Sequence, residues 1–172
     1  MKAQHQTVQI DGSVASNNED ALHGVPAVGS LEQRLVDSFK TLYQRLNAET
    51  IGSGLIESVY DENMHFEDSF HQIDGREAFV AYCESLYENV QQIDFVFHEQ
   101  WIKPGQAMLT WTMTYRHPRL KRGKDIAVQG ASHLRFDDKI TFHQDFFDGG
   151  QLLYEQIPVL GTLIQGLKKR MA

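Results

Sequence analysis

The chain has 172 residues, 41% of them hydrophobic, enough to bury one core and suited to one domain with a tail. A formal charge of −7 excludes nucleic acid as the main partner, because phosphate neutralisation needs a basic face. Cys83, the single cysteine, excludes an intrachain disulfide and a thiolate metal cluster; with no apolar run of membrane-spanning length and no secretory signal, a cytoplasmic protein is expected.

Residues 1–30 are rich in Gln, Asn, Ser, Gly and Ala with no sustained apolar period, so a flexible tail is expected there. Ser30 then caps a first helix, with Gln33 completing a capping box and Leu31, Leu35, Phe39, Leu42 and Leu46 on one face. A short second helix is expected from about Ser53 to Tyr60, after the Gly52-Ser53-Gly54 break. Asn63 to Asp68 alternates as a strand, Met64, Phe66 and Asp68 sharing one face while His65 and Glu67 share the other. Ser69 to Asp74 reads as a loop and Gly75 to about Asn89 as a third helix packed through Phe79, Cys83, Leu86 and Tyr87. Cys83 is read as a small core residue, since no basic neighbour is placed to form its thiolate.

From Ile93 the pattern changes to strands: Ile93–Lys103, Ala107–His117, Ile126–Phe136 and Lys139–Asp148, a four-stranded antiparallel meander joined by short turns. Helices first and sheet after is an α+β order, the helices covering one face of a bent sheet. The second of these strands poses a choice. Leu109, Trp111, Met113 and Tyr115 form an apolar face that periodicity alone turns toward the core. If Thr112 and Thr114 instead line a pocket under the helices, the Trp face must be buried against a second copy of the chain, making a homodimer through the outer sheet face. On the third strand Val128, Gly130, Ser132 and Leu134 share a face, and the small residues leave room for something to sit against the sheet.

The last strand is the most chemically loaded. Thr141, His143, Asp145 and Phe147 fall on one face, so that an imidazole and a carboxylate lie two residues apart among aromatic rings. A desolvated carboxylate with a neighbouring imidazole suits proton transfer; the alternative is a wet sheet face. His65, Glu67 and His71 lack metal-ligand spacing, and no metal or other cofactor is expected.

The order helix, helix, strand, helix, meander, with Tyr60-Asp61-Glu62-Asn63 leading into Phe66-Glu67-Asp68 and Gly75-Arg76-Glu77-Ala78 opening the third helix, resembles the nuclear transport factor two superfamily. Within it, Lys139-Ile140-Thr141 followed by Asp145-Phe146-Phe147-Asp148 is similar to the SnoaL-like and limonene epoxide hydrolase branch, over about residues 31–158. The resemblance implies a cone-shaped bent sheet with three helices covering an apolar pocket. It implies that Asp145 matches the hydrolase's catalytic aspartate and that Asp68 stands where similar ketosteroid isomerases keep their general base. Phe66 takes the place of a water-holding tyrosine, Thr112 and Thr114 those of the hydrolase's Arg and Asp, and Ser132 falls near the isomerases' oxyanion-hole acid. The isomerases' oxyanion tyrosine maps nearest Leu42, with Tyr43 one place away. Neither complete catalytic set is present, which counts against epoxide hydrolysis by the family mechanism.

The expected site is therefore Asp145, Asp68 and His143 as catalytic groups, with Phe66, Thr112, Thr114, Val128, Ser132 and Phe147 around a small hydrophobic ligand. Two readings remain: a cofactor-independent hydrolase or isomerase/lyase working by general acid–base catalysis, and a non-catalytic dimeric ligand-binding module. Residues 159–172 are expected to form an amphipathic helix ending in Lys168-Lys169-Arg170, either a lid over the pocket or, less favoured, a membrane-surface contact.

Overall fold

The computed structural model describes residues 29–88, 90, 92–153 and 158–171, with the side chains of 122, 158–160, 162, 163, 165 and 168 left out. The expected N-terminal tail lies almost wholly outside the described residues.

Helix α1 (Leu31–Arg45) begins where Ser30, in extended conformation, accepts the Gln33 N–H through its hydroxyl at 3.2 Å, a cap worth about 1 kcal/mol. Its 3.6-residue period buries Leu35, Val36, Phe39 and Leu42. The five-residue α2 (Leu55–Val59) leads directly into β1 (Tyr60–Glu67). The segment read as a loop after β1 contains a short strand, β2 (Gln72–Asp74), which pairs antiparallel with the end of β1. Three residues were too few for alternation to register. Helix α3 (Arg76–Glu88) follows Gly75, whose φ of 87° makes the reversal that an L side chain resists.

The meander is β3 (Gln92–Lys103), β4 (Gln106–Arg116), β5 (Ile126–Phe136) and β6 (Ile140–Phe147), with bounds within a residue or two of those expected. The sheet extends beyond it: β1 lies parallel to β6, giving six strands in the order β2-β1-β6-β5-β4-β3. A register shift between Phe97 and Gln100 interrupts the β3–β4 ladder, the kind of irregularity that bends a sheet. Gly149–Leu152 does more than end β6. It forms a one-turn helix, α4, capped by Asp148, which accepts the Gly150 N–H at 2.7 Å. Helix α5 (Pro158–Met171) follows, Pro158 standing in its first turn where a missing N–H costs nothing.

Helices α1 and α3 lie on one face of the sheet, α1 against β3 and α3 against β1. That fixes which face of β4 is inside. Leu109, Trp111 and Tyr115 are buried within the chain, so the apolar face of β4 is the helix-facing one, as its periodicity alone implies. Thr112 and Thr114 are on the outer face, where the Thr112 hydroxyl meets His98 Nε2 at 2.8 Å. Their expected place in the pocket is corrected, and with it the reason for a dimer through the Trp face: the helices of the same chain already supply the apolar cover. The room left by Gly130 is also filled from within. Trp111 lies over it so closely that a Cβ on Gly130 would stand 2.3 Å from Cη2 of the indole.

Candidate active site

Between the helices and the inner sheet face lies a cavity of about 540 Å³. Phe66, Phe95, Trp111, Met113 and Phe147 make most of its wall apolar, and Asp145 and Asp68 both line it. The Tyr115 hydroxyl donates to the Leu152 carbonyl, holding α4 across one end, and Leu152 and Leu153 join the lining. A larger hollow of about 900 Å³ lies elsewhere, along β1 and the start of α3, but its wall is a set of acidic side chains around Arg76 and includes neither Asp145 nor His143.

Register builds the polar centre. The antiparallel β5–β6 ladder sets Asp145 opposite Ser132 and His143 opposite Leu134; the parallel β1–β6 ladder sets Phe66 beside His143. Asp145 Oδ1 receives two hydrogen bonds, from the Ser132 hydroxyl at 2.5 Å and from His143 Nε2 at 2.8 Å. Ser132 is held in turn by the Trp111 indole N–H at 2.9 Å. On its far side His143 Nδ1 meets the Tyr60 hydroxyl at 2.8 Å, and Tyr43 stands 3.2 Å from Tyr60. With Asp145 ionised, the carboxylate fixes the imidazole proton on Nε2, so Nδ1 accepts from the Tyr60 O–H.

His143 is fully buried, its ring meeting the Phe39 and Phe66 rings edge-on at centroid distances of 5.2 and 5.1 Å. It therefore stands behind Asp145 and not in the cavity wall. The Asp145 side chain is 17% exposed. Its Oδ2 has no partner among the described residues, yet it is not a sealed orphan, the one such side-chain oxygen among them being on Glu57. Asp145 thus presents one anchored oxygen inward and one accessible oxygen outward.

Asp68 differs. Its Oδ1 accepts the backbone N–H groups of Phe70 and His71, each at 2.7 Å, and His71 Nδ1 is 3.2 Å away; Oδ2 accepts the Tyr82 hydroxyl at 2.8 Å. A carboxylate so fully engaged ties the turn after β1 to α3, and neither of its oxygens is left without a partner. Of the other expected residues, Phe66 and Phe147 line the cavity, while Val128 and Ser132 are buried in the sheet beneath it. Trp111, Tyr43, Tyr60 and Tyr82 were missed as site residues. Trp111 was legible in the alternation of β4; the tyrosines come from three different elements, and no local pattern joins them.

The expected lid finds no support in the lining. The side chains of Leu160 and Leu163 lie outside the described residues, Leu167 is exposed, and no described residue of α5 lines the cavity. No helix among the described residues is long and apolar enough to cross a membrane.

Burial keeps the phenols and the thiol protonated. It raises Tyr43 and Tyr60 well above their ordinary 10.0, pushes Tyr115 up to about 12, and lifts Cys83 from 9.0 to about 12 with a further contribution from the Asp145 charge. In the unfolded chain these groups ionise first, so it loses protons that the folded chain retains. Stability is then whole below about pH 9 and lost as pH rises toward 12, by up to about 1.4 kcal/mol per pH unit for each such group. Urea denaturation at pH 8, 10 and 11 is expected to show this decline, and Tyr60→Phe to lessen it. A stability independent of pH over that range would contradict the burial of these hydroxyls.

A model of the SnoaL-like domain family matches residues 39–143. No curated protein matches the sequence. Among solved structures, the chain is similar to a candidate SnoaL-like polyketide cyclase from Shewanella putrefaciens CN-32, at 18% identity and TM-score 0.61 over 76% of this chain and 98% of that one. It is also similar to an LEH-like epoxide hydrolase of M. tuberculosis, at 15% identity and TM-score 0.59 over 79% and 96%. An NTF2-like protein of unknown function from Burkholderia pseudomallei K96243 aligns at 10% identity and TM-score 0.62 over 72% and 95%. At these identities the structural likeness carries the fold alone.

Proposed function

Because the chain belongs to the SnoaL-like domain family, on an NTF2-like fold, we propose that its cavity is a cofactor-independent active site for a small, mostly apolar ligand, with Asp145 as the general base. The observation that carries this reading is the division of labour on one carboxylate. Ser132 and His143 hold Oδ1, fixing the group, and Oδ2 is left accessible at an apolar wall. A base in such surroundings is poorly solvated yet precisely oriented, which is what proton abstraction needs.

The step is the breaking of a ligand C–H bond. Its proton goes to Asp145 Oδ2, and its electron pair delocalises into an adjacent carbonyl. Return of the proton at another carbon gives isomerisation; attack of the carbanion on a second carbonyl carbon of the ligand closes a ring, the π pair of that carbonyl becoming an alkoxide that takes the proton back from Asp145. His143 acts through Asp145: its Nε2–H stabilises the carboxylate before transfer, and Tyr60 keeps the ring in the tautomer that does so. Asp68 enters as the anchor of Tyr82 and the following turn. Carbon-acid chemistry is favoured over epoxide hydrolysis because Phe66 offers no group to hold a water, and the β4 side chains that line the cavity, Trp111 and Met113, are not the Arg and Asp that the resemblance to the hydrolase would require.

A reducing compartment such as the cytoplasm suits the single, buried cysteine. A second copy of the chain would pair on the outer face, where Val96, Trp101 and Phe146 are exposed; light scattering that gives a monomer at micromolar concentration would remove that part of the reading. The catalytic part is tested with 2-tetralone, an apolar bicyclic ketone, followed by NMR in D2O. The protein is expected to accelerate exchange of the protons next to the carbonyl beyond the rate in buffer. Binding of an apolar probe with no such acceleration by a panel of apolar ketones would make the cavity a binding site without chemistry.

A further inference from the structure

Several polar groups of the cavity wall are already engaged. Trp111 Nε1–H, Asp68 and the Tyr82 and Tyr115 hydroxyls are engaged with one another, with buried Ser132 or with the backbone. The segment that follows β4 is different. His117 and Arg119 both line the cavity there, and neither the Arg119 guanidinium nor His117 Nε2 has an acceptor among the described residues. His117 Nδ1 accepts the Arg119 backbone N–H at 3.1 Å, so a neutral ring carries its proton on Nε2 and can donate it. Arg116, three residues earlier, is already matched by Asp125 at 2.6 Å, and the Lys121 ammonium donates to the Asp125 carbonyl at 2.8 Å. Among the described residues, the free cation at this end of the cavity is therefore Arg119.

We infer that the ligand is an amphipathic organic anion, its apolar body against Phe66, Phe95, Trp111, Met113 and Phe147 and its anionic group on Arg119 and His117. This rests on the reading of the cavity as a small-molecule site and adds the ligand's charge and direction. An apolar wall selects an apolar body, and two unmatched donors at one end select acceptor oxygens there. The Asp145 charge does not oppose this. Asp145 lies at the level of Ser132 and Leu109, whereas the β4 chain reaches His117 only after Tyr115, which pairs with Ile126. Six strand residues from Leu109 to Tyr115 span about 20 Å, and Coulomb energy falls with distance, so repulsion by Asp145 is weak beside direct contact with a guanidinium. A ligand whose anionic group sits on Arg119 has its apolar body directed along the cavity toward Asp145.

Two fluorescent probes with the same ring systems separate charge from apolar burial: 8-anilinonaphthalene-1-sulfonate, an anion, and N-phenyl-1-naphthylamine, which lacks the sulfonate. Titrated into the full-length protein at pH 7, the sulfonate is expected to bind more tightly. Arg119→Gln should weaken it by about threefold to fivefold, the range of a partly exposed ion pair, and leave the neutral probe unchanged. Met113→Trp, which fills the cavity, should abolish both. Neutral-probe binding with the sulfonate no tighter, or an Arg119→Gln variant that binds both probes like wild type, overturns the inference while leaving an apolar binding site. Sulfonate binding that survives Met113→Trp places the probe elsewhere and overturns it too. Failure of both probes to bind at all removes the small-molecule reading itself.

Discussion

Gly130→Ala is expected to destabilise the protein by about 3 kcal/mol, the upper part of the usual cost of overpacking, although it adds one methyl group. At Gly130 the added Cβ would stand 2.3, 2.5 and 2.7 Å from Cη2, Cζ2 and Cζ3 of Trp111, distances that real Cβ atoms do not show. The indole has no easy retreat. It is 3% exposed, its ring meets Phe95 edge-on at 5.5 Å, and its N–H is committed to Ser132. Tilting it away breaks that hydrogen bond and loosens the hydroxyl that fixes Asp145 Oδ1, so the substitution should also weaken probe binding in the cavity. Urea denaturation followed by circular dichroism measures the first effect. The Trp111→Leu, Gly130→Ala double variant should recover part of the loss relative to additivity, because the clash is gone. Stability within 0.5 kcal/mol of wild type, about the spread of a neutral surface substitution, would mean that the indole does not lie over Gly130.

That pair of residues shows where sequence reading succeeds and where it stops. Alternation on β4 and β5 gives each strand its two faces, and the helix periods of α1 and α3 give theirs, so the α+β order and most element bounds follow from local spacing. Which face of the sheet meets the helices is a tertiary fact. Reading Thr112 and Thr114 into the pocket reversed β4 against its own pattern, and a one-face reversal moves every side chain of a strand at once. Gly130 was recognised as space beside the sheet, but the occupant comes from the neighbouring strand through a register that no single strand encodes. The parallel pairing of β1 with β6 is equally non-local. It joins residues about 77 positions apart, such as Phe66 and His143, and without it the tyrosine from β1 could not reach the imidazole. Asp145 and His143 were legible because they lie two residues apart on one strand. Asp68 was legible as an inward carboxylate, but not as one whose oxygens are already taken by the turn that follows it.

Asp145→Asn is expected to lower ketone proton exchange by about 10²- to 10⁴-fold, the usual worth of a positioned general base, while leaving the fold within about 1 kcal/mol of wild type. The amide is nearly the size of the carboxylate, and its carbonyl oxygen can still accept the Ser132 and His143 hydrogen bonds that Oδ1 receives now. What is lost is the accessible Oδ2, replaced by an NH2 that cannot take a proton. Asp68→Asn should behave in the opposite way. Its carboxylate accepts two backbone N–H groups, Tyr82 and His71, so an amide nitrogen turned toward any of these donors leaves a hydrogen bond unmade, at a cost of about 1–3 kcal/mol. Exchange by the folded fraction of Asp68→Asn should stay near wild type. Denaturation and exchange measured on both variants therefore give a crossed pattern, with Asp145 moving rate and Asp68 moving stability. If Asp145→Asn keeps the wild-type rate and Asp68→Asn loses it, the base is Asp68, and the open oxygen of Asp145 is an acceptor for the ligand.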